Sequence, residues 1–371
     1  MNKQRLIGLI KKEFIQIIRD PSAIAIAFIM PVILLFIFGY GVSLDAHHIP
    51  IAVVEDQHTH ESSEFIAGLN QSSYFSPHYY TTIDDAQKAV MNHEVNAILW
   101  IRDDFAKNLY QNKVAPISTL INGTDANNAR LTEGYLQGVW QVWLTQYAMI
   151  NAKPFIIPVS TQSRIWFNPA LKSRDYLVPG LIAVIMTLIG ALLTALVVAR
   201  EWERGTMEAL MASPVSISEI LLGKLIPYFI MGMGGMLLSV VLAVTLFDVP
   251  LRGSLVLLLL FSALFLLVAL GMGLLISSVA KNQFVAGQIA IIVTFLPAFI
   301  LSGFVFDIHS MPAPIQFITH IVAARYYVTI LQTLFLAGDI WPILINNGIA
   351  LLIMAIFFLG LTWLRSRKRL D

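Results

Sequence analysis

Six stretches of this chain, roughly 22–43, 177–199, 225–247, 254–279, 284–306 and 342–364, contain no aspartate, glutamate, lysine, arginine or histidine. A bilayer core about 30 Å thick takes about 20 apolar helical residues to cross. Composition agrees: 57% of residues are hydrophobic and 13% charged, against about 25% charged in an average soluble domain, and mean hydropathy is +0.73. The expected fold class is a polytopic α-helical membrane protein with six transmembrane helices. A net charge of +1 gives no reason to expect nucleic acid. The chain has no cysteine, which removes disulfides, thiol catalysis and cysteine-based metal sites.

Lysine and arginine set the orientation. Lys3, Arg5, Lys11, Lys12, Arg19, Arg200, Arg204, Lys224, Lys281, Arg365, Arg367, Lys368 and Arg369 fall on one side of a six-span path. The short loops opposite hold only Arg252 and Arg325. Both termini and the 200–224 and 280–283 loops are therefore expected in the cytoplasm, and the polar insert 45–175 outside. Leu6, Ile10, Phe14, Ile17 and Ile18 recur at helical spacing among basic residues, so residues 1–21 read as an amphipathic helix in the membrane interface. They are not a cleavable leader, since the basic region is long and no small-residue cleavage site follows. Asp20-Pro21 then turns the chain into the first span, 22–44.

Within 45–175, Ile51–Val54, Tyr79–Thr82, Ala97–Ile101 and Ile117–Ile121 read as strands, and Glu61–Leu69, Asp84–His93 and Asp103–Asn112 as helices. That alternation predicts a small inserted α/β domain, closed by a longer helix over about Asn127–Ile150. His47, His48, His58 and His60 crowd its start, but no carboxylate stands where it would complete a metal site, and they read as a solvated loop. Asn122-Gly123-Thr124 reads as a turn. No nucleophile elbow, H-E-x-x-H or catalytic triad is present, so no catalytic, cofactor or metal residue is expected in this chain.

The six spans hold no ionisable group, which argues against a proton relay through the membrane. A phosphate-cradling loop would read G-x-x-x-x-G-K-[ST]. The one Gly-Lys pair, Gly223-Lys224, is followed by Leu225, with Ser218 where the first glycine belongs. If a nucleotide drives this protein, another polypeptide binds it. The polar segment 200–224, between two spans on the basic side, is the expected contact. Ser213-Pro214 breaks it, and Ser216 or Ser218 could cap the next helix toward Glu219. The alternative is a solvated loop whose charges only fix topology.

Glu201-Trp202-Glu203-Arg204-Gly205-Thr206-Met207-Glu208-Ala209-Leu210, with Ser213-Pro214 and Gly223-Lys224, resembles the signature of type-2 ABC exporter permeases, roughly E-x-E-x-G-T-x-E-x-L…S-P…G-K. Lys12-Glu13-Phe14 with Arg19-Asp20-Pro21 resembles that family's N-terminal interfacial helix. Asn168-Pro169, Arg174-Asp175-Tyr176 and Val178-Pro179-Gly180 resemble the approach to its second span. One span, a large outer domain and five further spans (176–371) also match its order. The resemblance implies a half-transporter of the bacterial inner membrane that exports amphipathic, drug-like or lipid-like compounds. ATP and Mg would be bound by a separate ATPase subunit, and a second permease chain, identical or paralogous, would complete the pore. A periplasmic adaptor and an outer-membrane channel are further implied partners. The 200–224 segment would be the coupling helix, through Glu201, Glu203, Arg204, Gly205, Thr206, Glu208, Ser213, Pro214 and Lys224. The N-terminal helix would make a second ATPase contact through Lys12, Glu13, Arg19 and Asp20.

Ala183, Thr187, Ala191, Ala195 and Ala199 recur every four residues along the second span. Small residues so spaced let helices approach closely, either within the chain or at a dimer interface. Phe295 and Phe299 flank Pro297 in the fifth span and form a candidate substrate path, or ordinary packed surface. The outer loop 307–341 reads as re-entrant or interfacial helices. Two other functions stay open: a mechanical transmitter acting on a periplasmic partner, and a receptor or enzyme using the 45–175 domain.

Overall fold

The computed structural model describes residues 2–41, 48–92, 94–111, 117–123, 126–150, 172–280 and 282–365. The chain forms two compact units, one of residues 1–43 with 164–371 and one of residues 44–163. Asn168-Pro169, Lys281, His47, Thr124 and the basic residues after Arg365, all singled out above, lie outside the described residues.

The first unit opens with α1 (Lys3–Ile18), capped by the Asn2 side chain, which accepts from the Gln4 amide. Asp20 caps the next helix by accepting from the Ser22 amide, with Pro21 in its first turn. That helix, α2 (Pro21–Gly41), is the first candidate span.

In the second unit the order is β1 (Ile49–Glu55), α3 (His60–Gln71), β2 (Phe75–Tyr80), α4 (Ile83–Met91), β3 (Ala97–Ile101), α5 (Phe105–Tyr110), β4 (Ile117–Ile121) and α6 (Ala126–Ile150). The sheet order is β2-β1-β3-β4. β1 is parallel to β2 and to β3, and β4 is antiparallel to β3. Side chains alternate across a strand, and β1 uses both faces. Ile51 and Val53 join a core with Phe65, Leu69, Phe105, Leu136 and Trp143 from α3, α5 and α6. Ala52 and Val54 pack instead with Ala86 and Ala89 of α4. β2 covers Phe75–Tyr80 rather than Tyr79–Thr82. Pro77 cannot donate to a ladder and is tolerated because β2 is an edge strand.

The first unit resumes with α7 (Ser173–Glu203), α8 (Thr206–Ala212), α9 (Ile217–Thr245), α10 (Leu255–Ala280) and α11 (Gln283–Leu301). It ends with α12 (Ala313–Thr319), α13 (Ala323–Ala337) and α14 (Trp341–Arg365). Among the described residues six helices, α2, α7, α9, α10, α11 and α14, are long and apolar enough to cross a membrane. α7 is the axis of the unit: 94% of its most apolar window is buried, against 22% for α2, α11 and α14. The outer spans leave apolar side chains such as Ile33, Ile292 and Phe357 exposed, as lipid-facing helices do. α12 and α13 meet at 84° in the 307–341 segment, the geometry of a broken span or re-entrant loop.

Glycine sets the closest approach between helices. A Cβ on Gly273 of α10 would lie 2.4 Å from the Ala191 carbonyl oxygen of α7, and one on Gly190 would lie 2.5 Å from the Ala269 Cβ. Prolines in two spans are absorbed by π turns. Ala25–Ile29 precedes Pro31 and Ile291–Phe295 precedes Pro297, which accommodates the missing proline donor.

The small-residue stripe of α7 is spent inside the chain. Ala183, Ala191, Ala195 and Ala199 are fully buried and Thr187 nearly so, and Ala191, Ala195 and Ala199 pack with Ala286 and Ala290 of α11. The dimer-interface alternative has no exposed stripe left to use. Phe295 and Phe299 also face inward in part: Phe299 lies 5.9 Å from Phe38 of α2, 5.7 Å from Phe304 and 6.0 Å from Phe295. This aromatic cluster ties the first span to the fifth.

Candidate functional site

The signature segment is not one helix over 200–224. It is the end of α7, a turn, the short α8, a second turn at Ser213–Ser216, and the start of α9. Gly205 makes the first turn, with φ at +68°, a left-handed conformation that costs a side-chain-bearing residue about 1–2 kcal/mol. Its amide donates to the Trp202 carbonyl and the Arg204 amide to the Arg200 carbonyl, closing the α7 C-terminus as helix C-caps commonly do. Ser216 caps α9 in a reciprocal box with Glu219, which the sequence spacing anticipates.

Around these turns the charges divide into two groups. The first is buried. Lys224 is 2% exposed, and its Nζ donates to Glu13 Oε1 at 2.9 Å and Glu201 Oε1 at 3.1 Å. Glu13 and Glu201 are equally sequestered. Lys12 closes the cluster from its rim, 2.7 Å from Glu201 Oε1 and 3.3 Å from Glu13 Oε1. The Thr206 hydroxyl donates to Glu201 Oε2 at 3.0 Å. Burial draws the Lys12 ammonium down, but its hydrogen bond to Glu201 and the fields of Glu13 and Glu201 outweigh that and hold its pKa above the ordinary value. Two carboxylates and two ammonium groups thus join α1, α7 and α9, with α8 tethered through Thr206. Gly223 permits the approach, since a Cβ there would lie 2.9 Å from the Leu9 Cβ.

Further pairs extend this bracing. Arg200 bonds Asp20 and, through Nε, Gln283 Oε1 at 3.1 Å. Burial raises the Asp20 pKa, yet the Ser22 hydroxyl and Arg200 together bring it below its ordinary value. Glu203 is exposed, yet it accepts from the Gln283 amide at 2.9 Å and from its side chain. The Asn2 amide donates to Glu219 Oε1 at 2.6 Å, and Arg5 donates to the Pro214 carbonyl at 2.5 Å.

The second group faces solvent. Arg204, Gly205, Thr206, Glu208 and Pro214 are exposed, while Met207 turns inward with Val198 and Leu274. Ser213 is half-buried and its hydroxyl donates to the Leu210 carbonyl at 2.6 Å. Of the nine expected ATPase-coupling residues, Glu201 and Lys224 are therefore internal and Glu203 is occupied by Gln283. Of the expected second contact, Glu13 is internal, Asp20 is held by Arg200 and Lys12 by Glu201. Arg19 alone is both exposed and without an ion pair among the described residues. Among the described residues no group of three metal-ligating side chains is found.

An apolar helical bundle with a short charged helix slung between two of its spans, and no phosphate-cradling loop, has the build of a transporter's membrane subunit. The chain belongs to the ABC-2 family of transporter proteins, whose model matches residues 22–364. It is 44% identical to the probable multidrug ABC transporter permease YbhS of Escherichia coli K12, over 99% of this chain and 98% of that protein. It is 29% identical to the probable multidrug ABC transporter permease YbhR of the same strain, over 92% and 94%. It is 25% identical to that strain's inner membrane transport permease YhhJ, over 86% and 85%. The chain is thus a multi-pass membrane permease subunit of an ABC transporter.

Proposed function

We propose that this permease is half of the membrane pathway of an ATP-driven exporter that moves amphipathic, drug-like or lipid-like compounds out of the cytoplasm or the inner leaflet. The observation that carries this reading is the limb from Gly205 to Pro214, which exposes Gly205, Thr206, Glu208 and Pro214. It is held at both ends by buried charge pairs and presents Glu208 outward. A limb so anchored transmits a push to α7 and α9 instead of flexing. The family implies a separate ATPase, which would bind ATP and Mg, and a second permease chain, identical or paralogous. The multidrug names of the relatives support cargo of this class.

The bias of basic residues supports an orientation with both termini and α8 in the cytoplasm, the 45–175 domain in the periplasm and the chain in the bacterial inner membrane. A periplasmic adaptor and an outer-membrane channel are the partners proposed for that domain. Burial of Glu201 and Lys224 favours the exposed residues of the signature, Glu208 above all, for the ATPase contact. The test is mass spectrometry of proteins that co-purify with the tagged chain in mild detergent. An ATP-binding subunit at a one-to-one ratio, lost in Glu208→Lys, supports the reading. A preparation holding this chain alone, even after cross-linking, would remove it.

A further inference from the structure

Where α1, the start of α2, the end of α7 and the start of α11 converge, they surround an open cavity of about 630 Å³. Lys12, Arg19, Arg200 and Arg204 line it against one carboxylate, Asp20. Their charges are not equally spent. Asp20 serves Arg200, and Lys12 is neutralised within the Glu13–Glu201–Lys224 cluster. Arg19 and Arg204 are exposed and have no ion pair or side-chain hydrogen bond among the described residues. Two unspent guanidinium groups facing one concavity favour an anion with planar or tetrahedral oxygens, such as a phosphate.

The surroundings narrow the anion further. Pro21 and Gln283, both in the cavity wall, are the first residues of two spans, so the cavity lies where helices enter the bilayer. Ile15 is part of the wall and 44% exposed. Ile18 of α1, Ile24 one turn into α2, and Phe284 and Val285 in the first turn of α11 are exposed as well. A free anion or an acidic protein loop would use the cations and leave this apolar rim uncovered. A ligand with a phosphate head and hydrocarbon tails uses both.

We propose that this cavity binds the phosphodiester head of an acidic phospholipid from the leaflet on the basic side. Arg19 and Arg204 fork the phosphate, Arg200 and Gln283 form the fixed back wall, and the acyl chains run along Ile24, Phe284 and Val285. Arg19 borders α1 and Arg204 sits in the turn before α8, so the bound lipid bridges the interfacial helix and the root of the exposed limb.

Native mass spectrometry of the full chain tests this. It is titrated with palmitoyl-oleoyl-phosphatidylglycerol and, separately, with the phosphatidylcholine of the same acyl chains. The proposal requires one phosphatidylglycerol to bind in preference to phosphatidylcholine. Arg19→Gln/Arg204→Gln should weaken that binding by about tenfold or more, each cation near an anionic surface being worth several-fold. Lys11→Gln, an exposed cation on α1 outside the cavity, should leave it within about twofold. The single variants Arg19→Gln and Arg204→Gln, each expected to lose several-fold, keep the test sound if the double variant does not fold. Equal binding of the two lipids, or no effect of the variants, overturns the proposal. Displacement by excess inorganic phosphate would assign the cavity to a free anion instead. Unchanged lipid binding with loss of ATPase co-purification would assign it to the partner subunit.

Discussion

Glu201 and Lys224, buried with Glu13 of α1, and Glu208 of α8 come from one signature in the sequence, yet they occupy opposite environments. In the cluster every charge has a counter-charge within 3.3 Å, and Glu13, Glu201 and Lys224 are buried. On α8, Glu208 is exposed and has no ion pair among the described residues. A buried ion pair is weak evidence for net stability, but removing one partner strands the other at a high cost. An exposed carboxylate contributes little to folding and is free to be read by another molecule. One family signature thus mixes residues that hold a limb in place with residues that present it.

Substitutions can break that division, starting with the largest effect. Lys224→Met leaves two buried carboxylates, Glu13 and Glu201, with the half-exposed Lys12 as their one remaining cation, and should destabilise the chain by about 3–5 kcal/mol, read as a large fall in the melting temperature of the purified chain. Adding Glu201→Gln should recover part of the loss, because charges in one network are not additive. A wild-type melt for Lys224→Met would show that the cluster is not a brace. Gly223→Leu forces a side chain into the space held by Leu9 and should cost about 1–3 kcal/mol by overpacking. Restoration by Leu9→Ala in the double variant would locate the strain between α1 and α9.

Asp20→Asn is smaller, about 1 kcal/mol or less, because this pair lies near the surface. Its pH dependence has a definite sign. The folded-state pKa of Asp20 lies below its ordinary value, so its contribution is complete above that value and is lost as pH falls through the lowered one. Wild type and Asp20→Asn should therefore differ by a constant margin from neutral pH to about 5, and converge only below about 4. Convergence at a higher pH would contradict the Arg200 pairing. Glu208→Lys should move stability least, within about 0.5 kcal/mol, while reducing ATPase association most. A melt as low as that of Lys224→Met would erase the difference between the two regions.

Much of this architecture is legible in the sequence, because uncharged runs of span length admit few folds. The predicted spans end within a few residues of the observed helices, apart from the ends at which α7, α9 and α11 differ. β3, β4 and α6 are visible in their apolar patterns, and β2 is displaced because Pro77 disguises an edge strand. The site is less legible. Glu201 and Lys224 flank spans and look solvated in one dimension. Only α1 lying against α9, through Leu9 and Gly223, takes them out of water. The small-residue stripe likewise announces close packing but not its partners, which are α10 and α11 of the same chain. Gly223 next to Lys224, with Lys12-Glu13 on an amphipathic helix, was the available signal for the brace, since a glycine beside a charge marks a surface another helix can approach.

On the proposed function, the Glu208 face of α8 meets an ATPase in the cytoplasm. Because the chain contains no cysteine, Glu208→Cys introduces a single reporter thiol. Its labelling by a membrane-impermeant maleimide, in inverted and right-side-out vesicles with and without the co-purifying ATPase subunit, is the most direct measurement. The account predicts rapid labelling in inverted vesicles alone, and protection when the ATPase is bound. Labelling from the right-side-out face, or equal labelling with and without the ATPase, would contradict it.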